Sequence, residues 1–148
     1  MSLLNDTVNF AALYAQWIGE GLHPVEKAKA QSRANICLMC PKNQKRGLVE
    51  VLKMDAASLV RKQIELKNRM KLRVDDEKSL HICDVCHCVL SLKAWTPMTF
   101  IEANTSPETM LEFPSNCWIP IERICNEIII PEAKAILAKS LPKANSVP

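Results

Sequence analysis

Two Cys-x-x-Cys pairs, Cys37 with Cys40 and Cys83 with Cys86, constrain this chain of 148 residues more than any other feature. Two residues between cysteines let one tight turn present both sulfurs to a single ion, at about 2.3 Å in the case of zinc. Two such turns supply the four thiolates of a tetrahedral site, which zinc accepts without redox chemistry. The spacing therefore predicts one structural zinc ion on Cys37, Cys40, Cys83 and Cys86.

The predicted ligand set has competitors within the same sequence. His87 and Cys88 directly follow Cys86, and Cys117 precedes a tryptophan, so any of the three could replace one of the four ligands. An iron–sulfur cluster on four of the cysteines is a chemical alternative to zinc. Cys125 lies in an apolar stretch, where a free cysteine is usually a small buried side chain.

Composition points to a cytoplasmic globular protein. An odd count of seven cysteines fits a reducing compartment better than a framework of disulfides. Residues 1–10 lack the basic segment and the uninterrupted apolar run of a secretory signal, so we expect none. No run of 18 apolar residues occurs, so we expect no membrane-spanning helix and no membrane partner.

Scarce glycine and common proline, 3 and 9 residues, favour helices separated by proline-marked joints. Hydrophobic periodicity and capping residues predict helices at about Thr7–Ile18, Pro24–Ala34, Ala56–Leu72, from Ser106 to before Pro114, and from Pro131 to Leu141. The segments 80–82 and 88–95 flank the second cysteine pair, and the latter alternates like a strand, so we expect a hairpin there.

These elements predict an α+β fold that is mostly helical. Its centre would be a zinc-ribbon-like β-hairpin with helices packed around it. Residues 1–141 would form a single zinc-stapled domain, with a long helical insertion at about 48–78 between the two cysteine pairs, and residues 142–148 would form a loose tail.

The central predicted helix has two faces. Its apolar stripe, expected to face the core, consists of Ala56, Leu59, Val60, Ile64, Leu66 and Met70. Asp55 would cap its start. Basic side chains lie mostly opposite the stripe, and this arrangement is typical either of a solvated helix face or of a surface for an acidic partner.

Positive charge is concentrated in residues 27–73, where thirteen Lys or Arg stand against three acidic residues, a net charge of +10. Such a segment could bind the phosphates of nucleic acid. The candidate contacts are Lys42, Lys45, Arg46, Arg61, Lys62, Arg69 and Arg73. The segment contains no Phe, Tyr or Trp for stacking on bases, however, which weakens the case for single-strand binding.

The sequence therefore favours a protein-docking adaptor, with nucleic-acid binding as the alternative. Trp95, Phe100, Phe113 and Trp118 could form an apolar docking surface, although such aromatics usually pack in a core. We expect no enzyme and no small-molecule substrate, because the sequence has no glycine-rich phosphate loop and no His-Glu-x-x-His motif. A zinc ion closed by four thiolates also has no open position for catalysis.

The ordered cysteine pattern resembles that of a group of small cysteine-rich bacteriophage and prophage proteins, which are presumed to bind zinc. The matching pieces are Arg33-Ala34-Asn35-Ile36-Cys37-x-x-Cys40-Pro41-x-Asn43, Cys83-x-x-Cys86-x-Cys88-x-Leu90-x-x-Lys93 and Cys117-Trp118. The resemblance implies a phage origin and a bound zinc ion, and it implies no activity. It also implies that Cys88 and Cys117 act together, as extra ligands or as a packed pair beside the metal.

This chain departs from the resemblance at one position. Proteins of the group usually carry glycine between the last two cysteines of the second cluster, where this chain has His87. Glycine suits a turn position with positive φ, and histidine tolerates that region better than most residues. His87 is therefore either a strained turn residue or a ligand.

Overall fold

The structure is a computed structural model that describes residues 3–21 and 23–140, in which helices dominate. The helices of the described residues are α1 (Leu3–Gly19), α2 (Lys27–Leu38), α3 (Leu48–Asn68), α4 (Leu90–Lys93), α5 (Met98–Ala103), α6 (Pro107–Glu112), α7 (Trp118–Ile124) and α8 (Ile130–Ser140). The strands are β1 (Asn43–Gln44) and β2 (Ile82–Cys83). A 3-10 turn covers Glu77–Ser79, and a π-helical segment, Cys125–Ile129, joins α7 to α8.

The predicted class is confirmed in its coarse form, since the chain is mostly helical and carries a small antiparallel sheet. The predicted loose tail at 142–148 lies outside the described residues. No helix of the described ranges is both long enough and apolar enough to cross a lipid bilayer.

The two strands connect the two cysteine pairs. β1 pairs antiparallel with β2, with Asn43 opposite Cys83 and Gln44 opposite Ile82. The amide N–H of Asp84 donates to the carbonyl of Lys42 at 2.8 Å and extends the pairing by one residue. The turn that follows the first pair is therefore held directly against the strand that opens the second pair.

The predicted hairpin between 80–82 and 88–95 is wrong beyond its first residues. Val89 makes only an isolated antiparallel bridge to Ile82, and the chain turns into α4 at Leu90. All four residues of α4 are buried, whereas an alternating strand would have left every second side chain in water. Strand propensity depends on context. Here β2 pairs with β1 instead of with the alternating run, and that run forms the helix α4.

The central helix begins earlier in the sequence than predicted. α3 begins at Leu48, directly after Gly47 with a φ of 58°, so Asp55 lies inside the helix rather than capping it. The helix ends at Asn68, because Arg69 adopts a left-handed conformation and its amide N–H donates to the carbonyl of Glu65. The predicted end at Leu72 is therefore wrong by one turn.

The predicted core stripe of this helix is also partly wrong. The buried face of α3 is formed by Lys53, Ala57 and Ile64, whereas Leu59 and Leu66 are 67% and 75% exposed. Each residue turns the helix by about 100°, so residues two apart, such as Ala57 and Leu59, point to nearly opposite sides. The predicted stripe had therefore combined residues from two separate apolar faces of α3.

Four of the remaining helices, α1, α2, α6 and α8, lie near their predicted positions, whereas α5 and α7 were not predicted. α1 begins at Leu3 rather than at about Thr7. α2 begins at Lys27 rather than Pro24 and continues through Cys37. The predicted start of α6 is confirmed, since the Ser106 hydroxyl accepts a hydrogen bond from the Thr109 amide and caps the helix.

Aromatic side chains form the centre of the core. Tyr14 and Trp17 of α1 pack against each other and against Phe100 of α5, with ring centroids 5.6 to 6.2 Å apart. Trp95 is fully buried, and Trp118 is nearly so. The docking surface that these aromatics could have formed is therefore absent from the described surface, and core packing accounts for them.

One buried arginine joins three helices. Arg33 of α2 makes a bidentate ion pair with Glu122 of α7, at 2.8 and 2.6 Å. The central carbon of its planar guanidinium lies over the Trp118 ring, 4.2 Å from the ring centre. The same group donates to the carbonyls of Ala94 and Thr96, just beyond α4. These contacts fix α7, and with it Cys117, against the end of α2.

Candidate metal centre

The first cysteine pair lies where α2 ends. Cys37 occupies the last turn of the helix, and the amide N–H of Cys40 donates to its carbonyl at 3.1 Å. The amide N–H of Asn43 then donates to the carbonyl of Cys40 at 3.1 Å and leads the chain into β1. Two successive tight turns therefore place both thiols at the same end of α2.

The second cysteine pair lies in a closed loop at the end of β2. The amide N–H of Cys83 donates to the carbonyl of Cys88 at 3.0 Å, and the amide N–H of His87 donates to the carbonyl of Cys83 at 2.8 Å. His87 has a φ of 59°, which confirms the predicted positive-φ position, and its side chain is exposed. The Lys53 ammonium of α3 donates a hydrogen bond to the carbonyl of His87 at 2.8 Å and so fixes the loop to α3.

Four cysteines meet at a small cavity, and they are not the predicted four. A cavity of about 20 Å³ is lined by Cys37, Cys40, Cys83 and Cys117, the last of which directly precedes α7. A space of this size holds roughly one water-sized sphere. Cys86 instead lines a separate, larger cavity of about 230 Å³, together with His87 and Cys88.

The thiols lie near one another, but they do not form a complete metal site. Within residues 3–21 and 23–140, no three His, Cys, Asp or Glu side chains are already placed to hold a metal ion together. The side chains therefore fit a metal by donor type, since Cys37, Cys40, Cys83 and Cys117 are four soft sulfur donors that line one small cavity. Zinc-ribbon character beyond the two-stranded pairing stays a prediction.

Trp118 supplies a typical outer contact of a thiolate site. Its indole Nε1–H donates to the Cys37 sulfur at 3.3 Å in the buried interior. Burial raises the pKa of Cys37 to about 11, and the hydrogen bond from Trp118 acts in the opposite direction. Hydrogen bonds to ligand atoms orient and tune them in metal sites, so this contact suits a Cys37 thiolate.

Lys93 is a charged side chain that lies among the clustered cysteines. It is almost fully buried at the end of α4, and its ammonium lies 2.6 Å from the Cys86 sulfur. The ammonium also faces the Phe113 and Trp118 rings, at 4.7 and 6.0 Å from their centres. A buried cation is costly unless it has an anion beside it, and here the group at hydrogen-bond distance is a sulfur.

The electrostatics of Lys93 and Cys86 support each other. Hydrogen bonds from Cys83 and then Cys88 hold the pKa of Cys86 well below its usual range, and Lys93 adds to the effect. Burial is the largest single effect and would lower the pKa of Lys93, but the charges of Cys86, Cys88 and Cys83 and the hydrogen bond to Cys86 together outweigh it and raise the pKa. The directions of both pKa shifts favour a thiolate at Cys86 beside the Lys93 ammonium.

The predicted nucleic-acid contacts do not form one surface. Arg46 is paired with Asp84, and Arg61 makes a bidentate ion pair with Glu77 at 3.0 and 2.7 Å, so carboxylates neutralise both. Lys42 is half-buried and lines the small cavity.

The four remaining members of that predicted set, Lys45, Lys62, Arg69 and Arg73, are exposed and spread along the molecule. Lys45 precedes α3, whereas Arg69 follows its end. A helix of 21 residues is roughly 32 Å long, so these two positions lie at opposite ends of that length. The +10 segment is therefore not gathered into a single ridge.

Sequence reasoning missed the roles of Arg33, Lys53 and Lys93. The available signal for Lys93 was its position inside an apolar run, since a lysine flanked by Leu92 and Ala94 in a buried segment needs a partner. Arg33 and Lys53 carried no such signal, because basic residues on helices are usually exposed.

No protein-family model, curated protein or solved structure matches the chain. The likeness to cysteine-rich phage proteins therefore stands on the sequence pieces quoted for it alone and stays a prediction. The function is accordingly argued from the geometry of this chain.

Proposed function

We propose that the chain is a non-enzymatic zinc-binding accessory protein that acts as a protein-docking adaptor. One tetrahedral zinc ion would join the end of α2 to the loop after β2. Cys37, Cys40 and Cys83 serve as ligands in every version of the proposal, because the sequence pattern and the small cavity both include them.

The buried contact between Lys93 and Cys86 carries the proposal. Zinc held by four thiolates has a net charge of −2, and this excess of negative charge needs a nearby cation when the site is buried. Lys93 supplies that cation within the cluster. A buried lysine would be hard to retain beside a set of neutral thiols, whereas it suits a thiolate metal centre.

The fourth ligand is a choice between Cys86 and Cys117. The two-pair spacing favours Cys86, and the lining of the small cavity favours Cys117. If Cys117 ligates, Cys86 is the thiolate that Lys93 neutralises beside the site. If Cys86 ligates, the hydrogen bond from Lys93 goes directly to a zinc ligand.

The exposed C-terminal helix supports a docking role. All side chains described in α8 after Ile130 are exposed, among them Ile136 and Leu137, at 66% and 59%. A helix that exposes apolar side chains gains stability by covering them with a partner. A protein is the partner that this apolar surface suits.

Nucleic-acid binding receives less support from the same arrangement. Two of its seven predicted contacts are ion-paired within the chain, and the exposed ones are separated along the length of α3. Affinity for phosphates depends on several cations acting on one strand of nucleic acid. We therefore keep it as the second candidate.

Metal content tests the zinc proposal. The purified full chain should carry one zinc per protein by elemental analysis, and Co²⁺ in its place should give an intense sulfur-to-metal charge-transfer band. Cys37→Ser should abolish both signals. Of Cys86→Ala and Cys117→Ala, one should lose the metal and the other keep it, which identifies the fourth ligand. Absence of any bound metal, or a brown iron-containing protein, would refute the proposal.

Docking is tested separately. The wild-type chain and the double variant I136E/L137E are compared as baits in the native host, with both proteins checked for equal zinc content. The adaptor proposal expects a protein that the wild type retains and the variant loses. Equal recovery by both baits, or retention of nucleic acid instead, argues against it.

A further inference from the structure

The outer face of α3 carries an apolar stripe that the protein core does not use. Its four large side chains, Leu48, Val51, Leu59 and Leu66, are 65%, 56%, 67% and 75% exposed. Asp55 and Lys62 stand within the same stripe and are exposed as well. We call this set of six residues the α3 outer stripe.

The spacing of the α3 outer stripe is that of a helix-packing seam. Successive members are three, four, four, three and four residues apart, so all six fall on one side of the helix. That side is opposite the buried face formed by Ala57 and Ile64. The stripe is therefore presented outward along a helix roughly 32 Å long, which is long enough for another helix to pack on it.

The two charged members decide which helix fits. Asp55 and Lys62 lie at equal distances on either side of a point between Ser58 and Leu59. A twofold axis through that point would place Asp55 of each copy opposite Lys62 of the other. The same axis would pair Val51 with Leu66 and bring Leu59 against its own counterpart. A parallel arrangement would instead set Asp55 against Asp55 and Lys62 against Lys62.

Both charges are free to make that contact. Among the described residues, neither Asp55 nor Lys62 has an ion-pair partner within its own chain. The neighbouring basic residue Arg61, by contrast, is already paired with Glu77. A single pair of opposite charges inside an apolar seam typically fixes the orientation and register of paired helices.

We propose that two copies of this chain associate through the α3 outer stripe, with the two α3 helices antiparallel and Asp55 of each copy paired with Lys62 of the other. The interface is isologous, so every contact occurs twice. It is independent of the docking helix α8 and uses none of the cysteines. Because a single pair of helices buries little surface, the dimer forms reversibly as the protein concentration rises.

Sedimentation velocity of the zinc-loaded full chain over a hundredfold concentration range tests this association. The wild type should shift from monomer to dimer. Leu59→Lys places two like charges at the twofold axis and should keep the protein monomeric. Leu111→Lys is the matched control, because Leu111 is 86% exposed on α6, away from the stripe, and its variant should dimerise like the wild type.

Charge reversal tests the antiparallel register. Asp55→Lys and Lys62→Asp should each raise the dimer dissociation constant by about tenfold or more, since each creates two like-charge contacts. The double variant D55K/K62D should restore association. Circular dichroism and melting confirm that every variant is folded. A wild type that stays monomeric, a Leu59→Lys variant that still dimerises, or a double variant that does not recover would overturn the proposal.

Discussion

Lys93 shows how one buried side chain can indicate the chemistry around it. The side chain reaches the cluster from α4, is almost fully buried, and meets the Cys86 sulfur at 2.6 Å. The aromatic rings of Phe113 and Trp118 complete its surroundings and tolerate a cation through their electron-rich faces. In the proposed metal centre, the residue would balance the charge of the thiolates, whichever of them bound the metal.

Replacing Lys93 by methionine keeps most of its length and removes its charge. Because outer contacts of metal ligands typically contribute 10–100-fold to metal affinity, Lys93→Met should weaken zinc binding by roughly that factor. Competition with a chromogenic chelator measures the change. Lys45→Met, at an exposed position that precedes α3, should bind zinc like the wild type. Unchanged affinity in the Lys93 variant would contradict the role given to its charge.

Arg33 has an equally specific structural role. Its guanidinium satisfies both oxygens of Glu122 and two backbone carbonyls at once, a geometry that lysine cannot reproduce. Arg33→Ala leaves the partly buried Glu122 carboxylate with only the more exposed Lys29, at 3.6 Å, as a partner and should lower the free energy of unfolding by about 3–5 kcal/mol. Arg33→Lys should recover only part of that loss.

Urea unfolding of the zinc-loaded protein measures these differences. Arg73→Ala is the control, since Arg73 is exposed, and it should change the unfolding free energy by less than about 0.5 kcal/mol. A loss of similar size in the control and in Arg33→Ala would show that the buried contacts of Arg33 contribute nothing special.

At the scale of elements, the loop from Cys83 to Cys88 depends on one strained residue. His87 holds a φ of 59°, which costs a residue with a β-carbon about 1–2 kcal/mol relative to ordinary conformations. The loop closes because Lys53 and two backbone hydrogen bonds hold it there. Since the His87 side chain is exposed, the strain arises from the backbone and not from a buried contact.

Glycine at position 87 should relieve that strain. After allowing for the greater freedom of glycine in the unfolded chain, His87→Gly should raise the free energy of unfolding by about 0.5–1 kcal/mol, with one zinc still bound. Asp76→Gly, at another exposed position with a φ of 56°, should give a similar gain outside both cysteine pairs. Loss of zinc only in the His87 variant would identify the imidazole as a ligand.

The sequence predicted those elements whose signals are local. The start of α6 at the Ser106 cap was readable from neighbouring residues, whereas the positive-φ position at His87 followed from the resemblance. The pairing of β1 with β2 was not readable, because it joins residues about forty positions apart and β1 itself is only two residues long. Strand runs as short as this carry no periodicity from which to predict them.

The residues of the candidate site could likewise be predicted only where the signal is local. Cys37, Cys40 and Cys83 followed from spacing, whereas Cys117 enters the cavity only because Arg33 and Glu122 fix α7 beside α2. Likewise, the two apolar faces of α3 could not be separated by periodicity, since the sequence does not say which of them meets α1. Tertiary packing decided both questions.

At the scale of the whole molecule, the proposed metal would join three segments that are far apart in the chain. These are the end of α2, the loop after β2 and the residue before α7, which all border one small cavity. The intervening 42 residues between Cys40 and Cys83 contain all of α3, so closing this connection lowers the entropy of the unfolded chain considerably. Metal binding and folding are therefore expected to be coupled.

Removing the metal should then destabilise the entire fold. Structural zinc contributes roughly 10–16 kcal/mol in model peptides at neutral pH, and a change of 1 kcal/mol shifts the melting temperature of a chain this long by about 2–4 °C. A strong chelator should accordingly lower the melting temperature by at least about 10 °C. Differential scanning calorimetry with and without chelator measures the shift.

Cys83→Ser provides the matching control, because it removes the ligand that both β2 and the cavity present to the metal. This variant should melt near the temperature of the chelated wild type and should not respond to chelator. A chelator effect that persists in Cys83→Ser would place the metal elsewhere. An identical melting curve for the wild type with and without chelator would mean that α2, β2 and α7 are held together by packing and the Arg33 contacts alone.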